Sequence, residues 1–256
     1  MTRTTATATA PVTVVTPGPA PAGAVTALPA APAPAAASAP AAPAAVRARV
    51  GVTLSRAGGR RAEVVTFDGL LDGGEHLAVV VPPPADGPAP APRQSRSAAP
   101  PLVRLHSECM TGDIFGSARC DCGPQLDESL DRMSREGGVL LYLRQEGRGI
   151  GLYNKLDTYV LQDAGNDTFA ANRLIGRDED ERDYASAAAM LHTLGVQRIR
   201  LLTNNPEKVR QLREHGIEVA AVVPTGVYPT SENARYLEAK VRLGGHSIGI
   251  EQRRQA

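Results

Sequence analysis

The spacing of apolar residues divides this chain into two kinds of segment. Residues 48–54, 62–67, 76–81 and 102–105 are short runs in which aliphatic and β-branched side chains alternate with polar ones, as in strands. Further along, Leu126, Leu130 and Met133 recur at helical spacing, and Gly137 and Gly138 end that helix. Residues 139–143 follow as a continuous apolar run, the pattern of a buried strand. Asp183 is placed to cap a helix carrying Ala187, Met190, Leu191 and Leu194, which Gly195 closes before a strand at 198–202. Asn205 and Pro206 read as the N-cap and first residue of another helix, closed by Gly216 ahead of a strand at 218–223. The expected fold is α/β (α+β): a mostly β N-terminal portion followed by a domain of alternating helix and strand.

Composition qualifies this in two places. Residues 1–45 are almost wholly Ala, Pro, Thr and Val with a single charge at Arg3, too uniform to offset the entropy of ordering, and are expected to be a disordered tail. One arginine among frequent prolines is poor material for the amphipathic helix of a transit peptide. Residues 82–101, rich in Pro, Ala and Ser, read as a loop insertion within a single domain spanning 46–250, with 251–256 a flexible end.

Charge and hydropathy exclude some partners. Lys plus Arg number 28 against 27 Asp plus Glu, a net charge of +1, so no extended basic field attracts nucleic acid. No run approaches the roughly 18–20 apolar residues of a membrane span, and the N-terminus has no compact secretory signal, so the reading is a cytoplasmic protein without membrane contact.

The three cysteines, Cys109, Cys120 and Cys122, all lie in one short stretch. An odd, clustered set argues against a disulfide framework and for a metal or a reactive thiol. Three thiolates without a fourth suit a catalytic zinc, which keeps one tetrahedral position for water and lowers that water's pKa to about 7. Two other readings stay open: reduced core cysteines, and a closed structural site with His106 as fourth ligand.

The surrounding motifs resemble a known family. Arg104-Leu-His-Ser-Glu-Cys109, Thr111-Gly-Asp113, Arg119-Cys-Asp-Cys-Gly123 and Gln125-Leu126 are followed by Tyr142-Leu-Arg-Gln-Glu-Gly-Arg-Gly-Ile-Gly-Leu152 and Asn154-Lys155. Asp180-Glu-Arg-Asp-Tyr184, Leu201-Leu-Thr-Asn-Asn-Pro206 and Lys208 complete an ordered string over about residues 47–246 that is similar to the GTP cyclohydrolase II family. The resemblance implies hydrolysis of GTP with zinc and magnesium. Formate leaves from C8 of the guanine, pyrophosphate is released, and 2,5-diamino-6-(ribosylamino)-4(3H)-pyrimidinone 5'-phosphate, the first intermediate of riboflavin synthesis, remains.

On this resemblance Cys109, Cys120 and Cys122 hold the zinc, and magnesium bridges the triphosphate. Tyr159 orients or protonates the opening ring, and Asp180 and Arg182 occupy the positions of proton acceptance and of action at the α-phosphate. A guanidinium is protonated at ordinary pH, so electrostatic stabilisation of the departing pyrophosphate suits Arg182 better than nucleophilic attack. Arg104, Leu105, His106, Ser107, Glu108, Gln125, Glu146, Gly147, Arg148, Thr168, Thr203 and Lys208 match nucleotide-binding positions. Gly147, Gly149 and Gly151 lack the spacing of a dinucleotide fingerprint. The family resemblance also implies a homodimer.

Two departures stand out: Arg177 replaces an aromatic residue ahead of the Asp180 segment, and no second synthase domain is expected before residue 46, which makes the reading monofunctional. The rivals are a zinc deaminase, whose Pro-Cys-x-x-Cys is not matched by Cys120-Asp-Cys122; a zinc-stabilised nucleotide sensor without turnover; and a paralogue that opens the ring and leaves the formamide in place.

Overall fold

Strand β5 (Gly138–Leu143) carries its side chains alternately to two cores. Val139, Leu141 and Leu143 face one apolar cluster and Leu140 the other. A run apolar on both faces belongs in the middle of a sheet. In the computed structural model, which describes residues 43–84, 99–166, 168–178 and 180–233 (Thr168 and Phe169 through their backbone alone), β5 lies fourth in a seven-stranded sheet.

The strands are β1 (Ala45–Leu54), β2 (Arg60–Asp68), β3 (Leu77–Val81), β4 (Leu102–Ser107), β5, β6 (Arg198–Leu202) and β7 (Glu218–Val223), in the order β1-β2-β3-β5-β4-β6-β7. β1, β2, β3 and β5 are antiparallel neighbours. β5, β4, β6 and β7 run parallel. The β portion and the alternating portion are therefore one mixed sheet, joined where Leu77 pairs with Tyr142 and Val81 with Gly138.

Six helices join the strands among the described residues: α1 (Met110–Asp113), α2 (Cys122–Glu136), α3 (Leu152–Asp163), α4 (Thr168–Leu174), α5 (Ala185–Thr193) and α6 (Pro206–Glu214). Leu126, Leu130 and Met133 of α2 pack with Leu102, Leu140 and Leu202 on one face. Ala187, Met190 and Leu191 of α5 and Leu212 of α6 pack with Leu105, Leu141 and Leu201 on the other. Each fully buried leucine contributes roughly 1.5–3 kcal/mol of transfer free energy.

Most element positions follow the sequence reading, and the differences have local causes. Asn205 caps α6 through its side chain, 2.9 Å from the Glu207 N–H, with Pro206 beside it. The N-cap of α5 is Tyr184 rather than Asp183, although the Asp183 carboxylate still accepts from the Ala185 N–H at 2.6 Å. β1 already includes Ala45, the last residue assigned to the tail. Residues 1–42, 85–98 and 234–256, which hold most of the expected tail, most of the insertion and the C-terminal end, lie outside the described residues.

Helices α1, α3 and α4 were not anticipated. α1 is four residues long, too short for a period. α3 buries Lys155 and Thr158 while Tyr153, Leu156 and Val160 are exposed, the inverse of an ordinary amphipathic pattern.

A hydrogen-bonded relay meets the chain where it leaves β5. His76 Nε2 lies 2.8 Å from Asp72 Oδ2, and His76 Nδ1 accepts from the Arg144 N–H at 2.9 Å. Partial burial raises the Asp72 pKa, but the hydrogen bonds from His76 and from the Gly74 N–H outweigh it and lower the carboxyl to about 2. Stability from this group is thus complete above the ordinary carboxylate range and lost as pH falls through about 2. Denaturant unfolding of Asp72→Asn should show it less stable than the parent at pH 7, with the gap closing as the pH is lowered below 4, the usual carboxyl range; a pH-independent gap would refute this.

Candidate active site

The end of β4 and the start of α2 bring the three cysteines together. Cys109 directly precedes α1, Cys120 sits in the turn after it, and Cys122 is the first residue of α2. Their sulfurs lie within 4.8 Å of one another, the one such group of candidate metal ligands among the described residues. Gly112 permits this approach: a Cβ there would stand 2.7 Å from Cys120 Sγ and 3.1 Å from Cys109 Sγ.

The sulfurs share charge unequally. Hydrogen bonds from Cys120 and Cys122 hold the Cys109 thiol far below its ordinary range, whereas the bond to Cys109 pushes Cys120 up to about 11 and Cys122 well above an ordinary thiol. Binding one divalent cation through all three sulfurs must therefore release protons. A soft, buried, three-thiol set is the donor chemistry that zinc prefers, so the residues present fit that ion.

His106 is not part of this group. Its Nε2 lies 3.0 Å from both Asp113 carboxylate oxygens, and Asp113 also accepts from the Cys109 N–H at 3.1 Å and the Tyr142 hydroxyl at 2.9 Å. The His106 ring stacks on Tyr142 with centroids 5.6 Å apart. The imidazole thus frames the loop through Asp113, and the alternative of His106 as a fourth ligand finds no support in its contacts.

The cysteines open onto a cavity of about 680 Å³. Of the residues expected at the site, Ser107, Glu108, Glu146, Gly147, Arg148, Tyr159 and Arg182 line it with the cysteines. Arg119, Gln145, Lys155, Thr158, Asn172 and Glu232 line it as well and were not singled out as site residues. Lys155 stood in a quoted motif, and its burial on α3 was the missing signal.

The left-handed backbone of Gly147 (φ 62°) is continued by Arg148 (φ 63°), a conformation costly for a side chain with a Cβ. Glu146 holds this turn, its Oε1 accepting from the Gly147 N–H at 3.0 Å and its Oε2 from the Met110 N–H at 2.7 Å. The Arg148 carbonyl in turn accepts from the Glu181 N–H at 2.9 Å, which ties the Asp180 loop to the same turn.

In that loop Arg182 is ion-paired with Asp180, its Nε 2.7 Å from Oδ1. Burial raises the Asp180 pKa, but the hydrogen bond and charge of Arg182 leave it lowered. Arg177, the residue in place of an aromatic, forms an ion pair of 2.7 Å with Glu181. Burial raises the Tyr159 pKa, so its phenol stays protonated at neutral pH; its hydroxyl lies 3.5 Å from Thr111 Oγ1, and the Arg119 guanidinium lies 4.9 Å from its ring centroid.

Arg104, Gln125, Thr203 and Lys208 are not among the residues lining the cavity and spend their polar groups within the fold. Arg104 donates to the Leu202 carbonyl at 3.1 Å and to Gln125 Oε1 at 2.8 Å, while Gln125 donates to Asp121 at 2.6 Å. Lys208 donates to the Leu105 carbonyl at 2.7 Å, and Thr203 Oγ1 accepts from the Asn205 N–H at 3.0 Å. Thr168 is placed at the first residue of α4.

Fold and site together define an α/β enzyme with a three-thiol centre in the wall of a cavity rich in arginine. The sequence model described as GTP cyclohydrolase II matches residues 48–224. A protein from Vibrio cholerae named GTP cyclohydrolase-2 is 50% identical over 205 residues, 80% of this chain and 98% of its own length. Its namesake from Vibrio parahaemolyticus is 48% identical over the same coverage. A riboflavin biosynthesis protein, RibBA, from Thermotoga maritima is 48% identical over 73% of this chain and 45% of its own length. This chain belongs to the GTP cyclohydrolase II family.

The crowding at Gly112 gives a test of the centre. Gly112→Ala should fold with the secondary structure of the parent yet lose stoichiometric zinc, measured by metal analysis after dialysis; full zinc retention would show that the sulfurs do not depend on this close approach.

Proposed function

We propose that this chain hydrolyses GTP, opening the imidazole ring with release of formate and pyrophosphate to leave 2,5-diamino-6-(ribosylamino)-4(3H)-pyrimidinone 5'-phosphate, the first step of riboflavin biosynthesis. The observation that carries the reading is the placement of three clustered sulfurs in the same cavity wall as Arg119, Arg148 and Arg182. A volume near 680 Å³ falls within the range of small-molecule sites.

Cys109, Cys120 and Cys122 would hold a zinc ion, which when bound would supply Lewis acidity and activate water at neutral pH. The chain's own groups provide the rest. Tyr159, protonated at neutral pH, is a proton donor for the opening ring. Arg182, oriented by the ionised Asp180, stabilises the charge that develops on departing pyrophosphate. Arg148 and Arg119 offer guanidinium groups to phosphate, where planar donors bind in pairs. Magnesium, carried by the triphosphate, would neutralise part of its charge. Arg104, Gln125, Thr203 and Lys208 remain nucleotide-binding positions on this reading, although in this structure their polar groups are engaged within the fold.

The protein acts as a homodimer in the cytoplasm on this reading. Three free thiols suit a reducing compartment, and no helix among the described residues is long and apolar enough to cross a membrane. On α3, Tyr153 (82% exposed) and Val160 (65%) lie on one face, seven residues apart, and leave an apolar stripe open to solvent. Such a patch is the surface a second copy would cover.

Incubating the zinc-replete protein with GTP and magnesium should give formate and pyrophosphate in equal amounts, with the pyrimidine identified by mass. Pyrophosphate with the formyl group retained would make it the ring-opening paralogue, ammonia a deaminase, and no turnover a sensor. Cys120→Ser should lose zinc and formate release together; activity without zinc would sink the metal chemistry. Light scattering should report a dimer that Val160→Glu converts to a monomer, and a monomeric parent would reject the dimer.

A further inference from the structure

Helix α3 buries a lysine on the face turned to the site. Lys155 keeps 9% of its exposure, and an ammonium so enclosed is costly unless every proton finds a partner. Three acceptors surround it: Cys109 Sγ at 3.1 Å, Thr111 Oγ1 at 2.9 Å and Glu146 Oε1 at 2.8 Å. The Tyr159 ring centroid lies 5.8 Å from the same nitrogen. All three protons point at the protein, which distinguishes Lys155 from the arginines of the cavity wall as a group for contacting phosphate.

These bonds close a ring around one residue. Glu146 Oε2 holds the N–H of Met110, the residue after Cys109, at 2.7 Å; Glu146 Oε1 holds Lys155; and Lys155 holds the Cys109 sulfur. Backbone and side chain at Cys109 are thus gripped from opposite ends by one ion pair. Three thiolates and a divalent ion sum to a net negative charge, and Glu146 adds another. The ammonium offsets that charge next to a site that must accept a polyanion.

Resting on the reading of the three sulfurs as zinc ligands, we infer that Lys155 is a positioning residue for the metal centre, fixing Cys109 by an N–H···S bond and coupling it to the Glu146-Gly147-Arg148 turn. Partners of metal ligands commonly govern affinity by about 10–100-fold. Loss of this bond should loosen the metal and alter the electronic environment of one sulfur while leaving the ligand set intact.

Zinc affinity, measured by competition with a chelator, should fall by roughly 10–100-fold in Lys155→Met and Lys155→Gln and largely recover in Lys155→Arg. In the cobalt-substituted protein, the sulfur-to-metal charge-transfer band should move in both neutral variants and return towards its original position with arginine. A merely structural lysine would not shift that band. Should Lys155→Met fail to fold, Lys155→Gln, which keeps a donor for Glu146 without the charge, decides the matter. Parent-like zinc affinity and an unmoved cobalt band in the neutral variants would overturn the inference alone. A parent protein that holds no zinc would overturn the zinc reading and this inference with it.

Discussion

Three sulfur atoms gathered within 4.8 Å in a mostly buried corner are the constraint to which the surrounding loops answer. Thiolates so close repel one another unless a cation and directed donors offset their charge. Absence of a side chain at Gly112 lets them approach, Asp113 fixes the Cys109 backbone, and the Lys155–Glu146 pair binds the first of them to the next loop. Asp113 is itself held by His106 and Tyr142, which come from the parallel neighbours β4 and β5. The centre is thereby referred to the middle of the sheet.

From that corner, order passes outward along the backbone. Glu146 starts the turn at whose tip Arg148 takes a left-handed conformation, and the Arg148 carbonyl receives the N–H of Glu181. Asn172 on α4 holds the Asp178 carbonyl at 3.0 Å, while Gln145 reaches the Asp183 carbonyl, so both ends of the Asp180 loop are fastened. The ion pair of Arg177 with Glu181 adds a side-chain tie within the same loop. Strain at one residue is tolerated because its neighbours fix it from several sides.

The elements legible in the sequence are those whose burial follows a simple period. β5 and α2 announce themselves by continuous and helical apolar spacing, and Asn205 with Pro206 by the chemistry of a cap. Helix α3 is invisible to such a reading because it turns Lys155 and Thr158 inward and Tyr153 and Val160 outward. The cysteine cluster was legible from spacing and residue type. The inward placement of Arg104, Lys208 and Thr203 was not, since motif order does not say which side of a strand end a side chain takes. Equally, nothing in the local sequence around Arg177 reveals a partner four residues on that depends on the path of the loop.

The position of β4 in the sheet has a consequence for biosynthesis. This strand, which leads directly into the first cysteine, lies between β5 and β6, both made later by the ribosome. A nascent chain emerging N-terminus first can assemble the β1–β2–β3 meander early, but β4 gains its second neighbour only once residues near 201 have been synthesised. Until then one edge of that strand stays unpaired. A chain interrupted before β6 would therefore carry an open strand edge in the middle of its future sheet, a template for pairing with another chain.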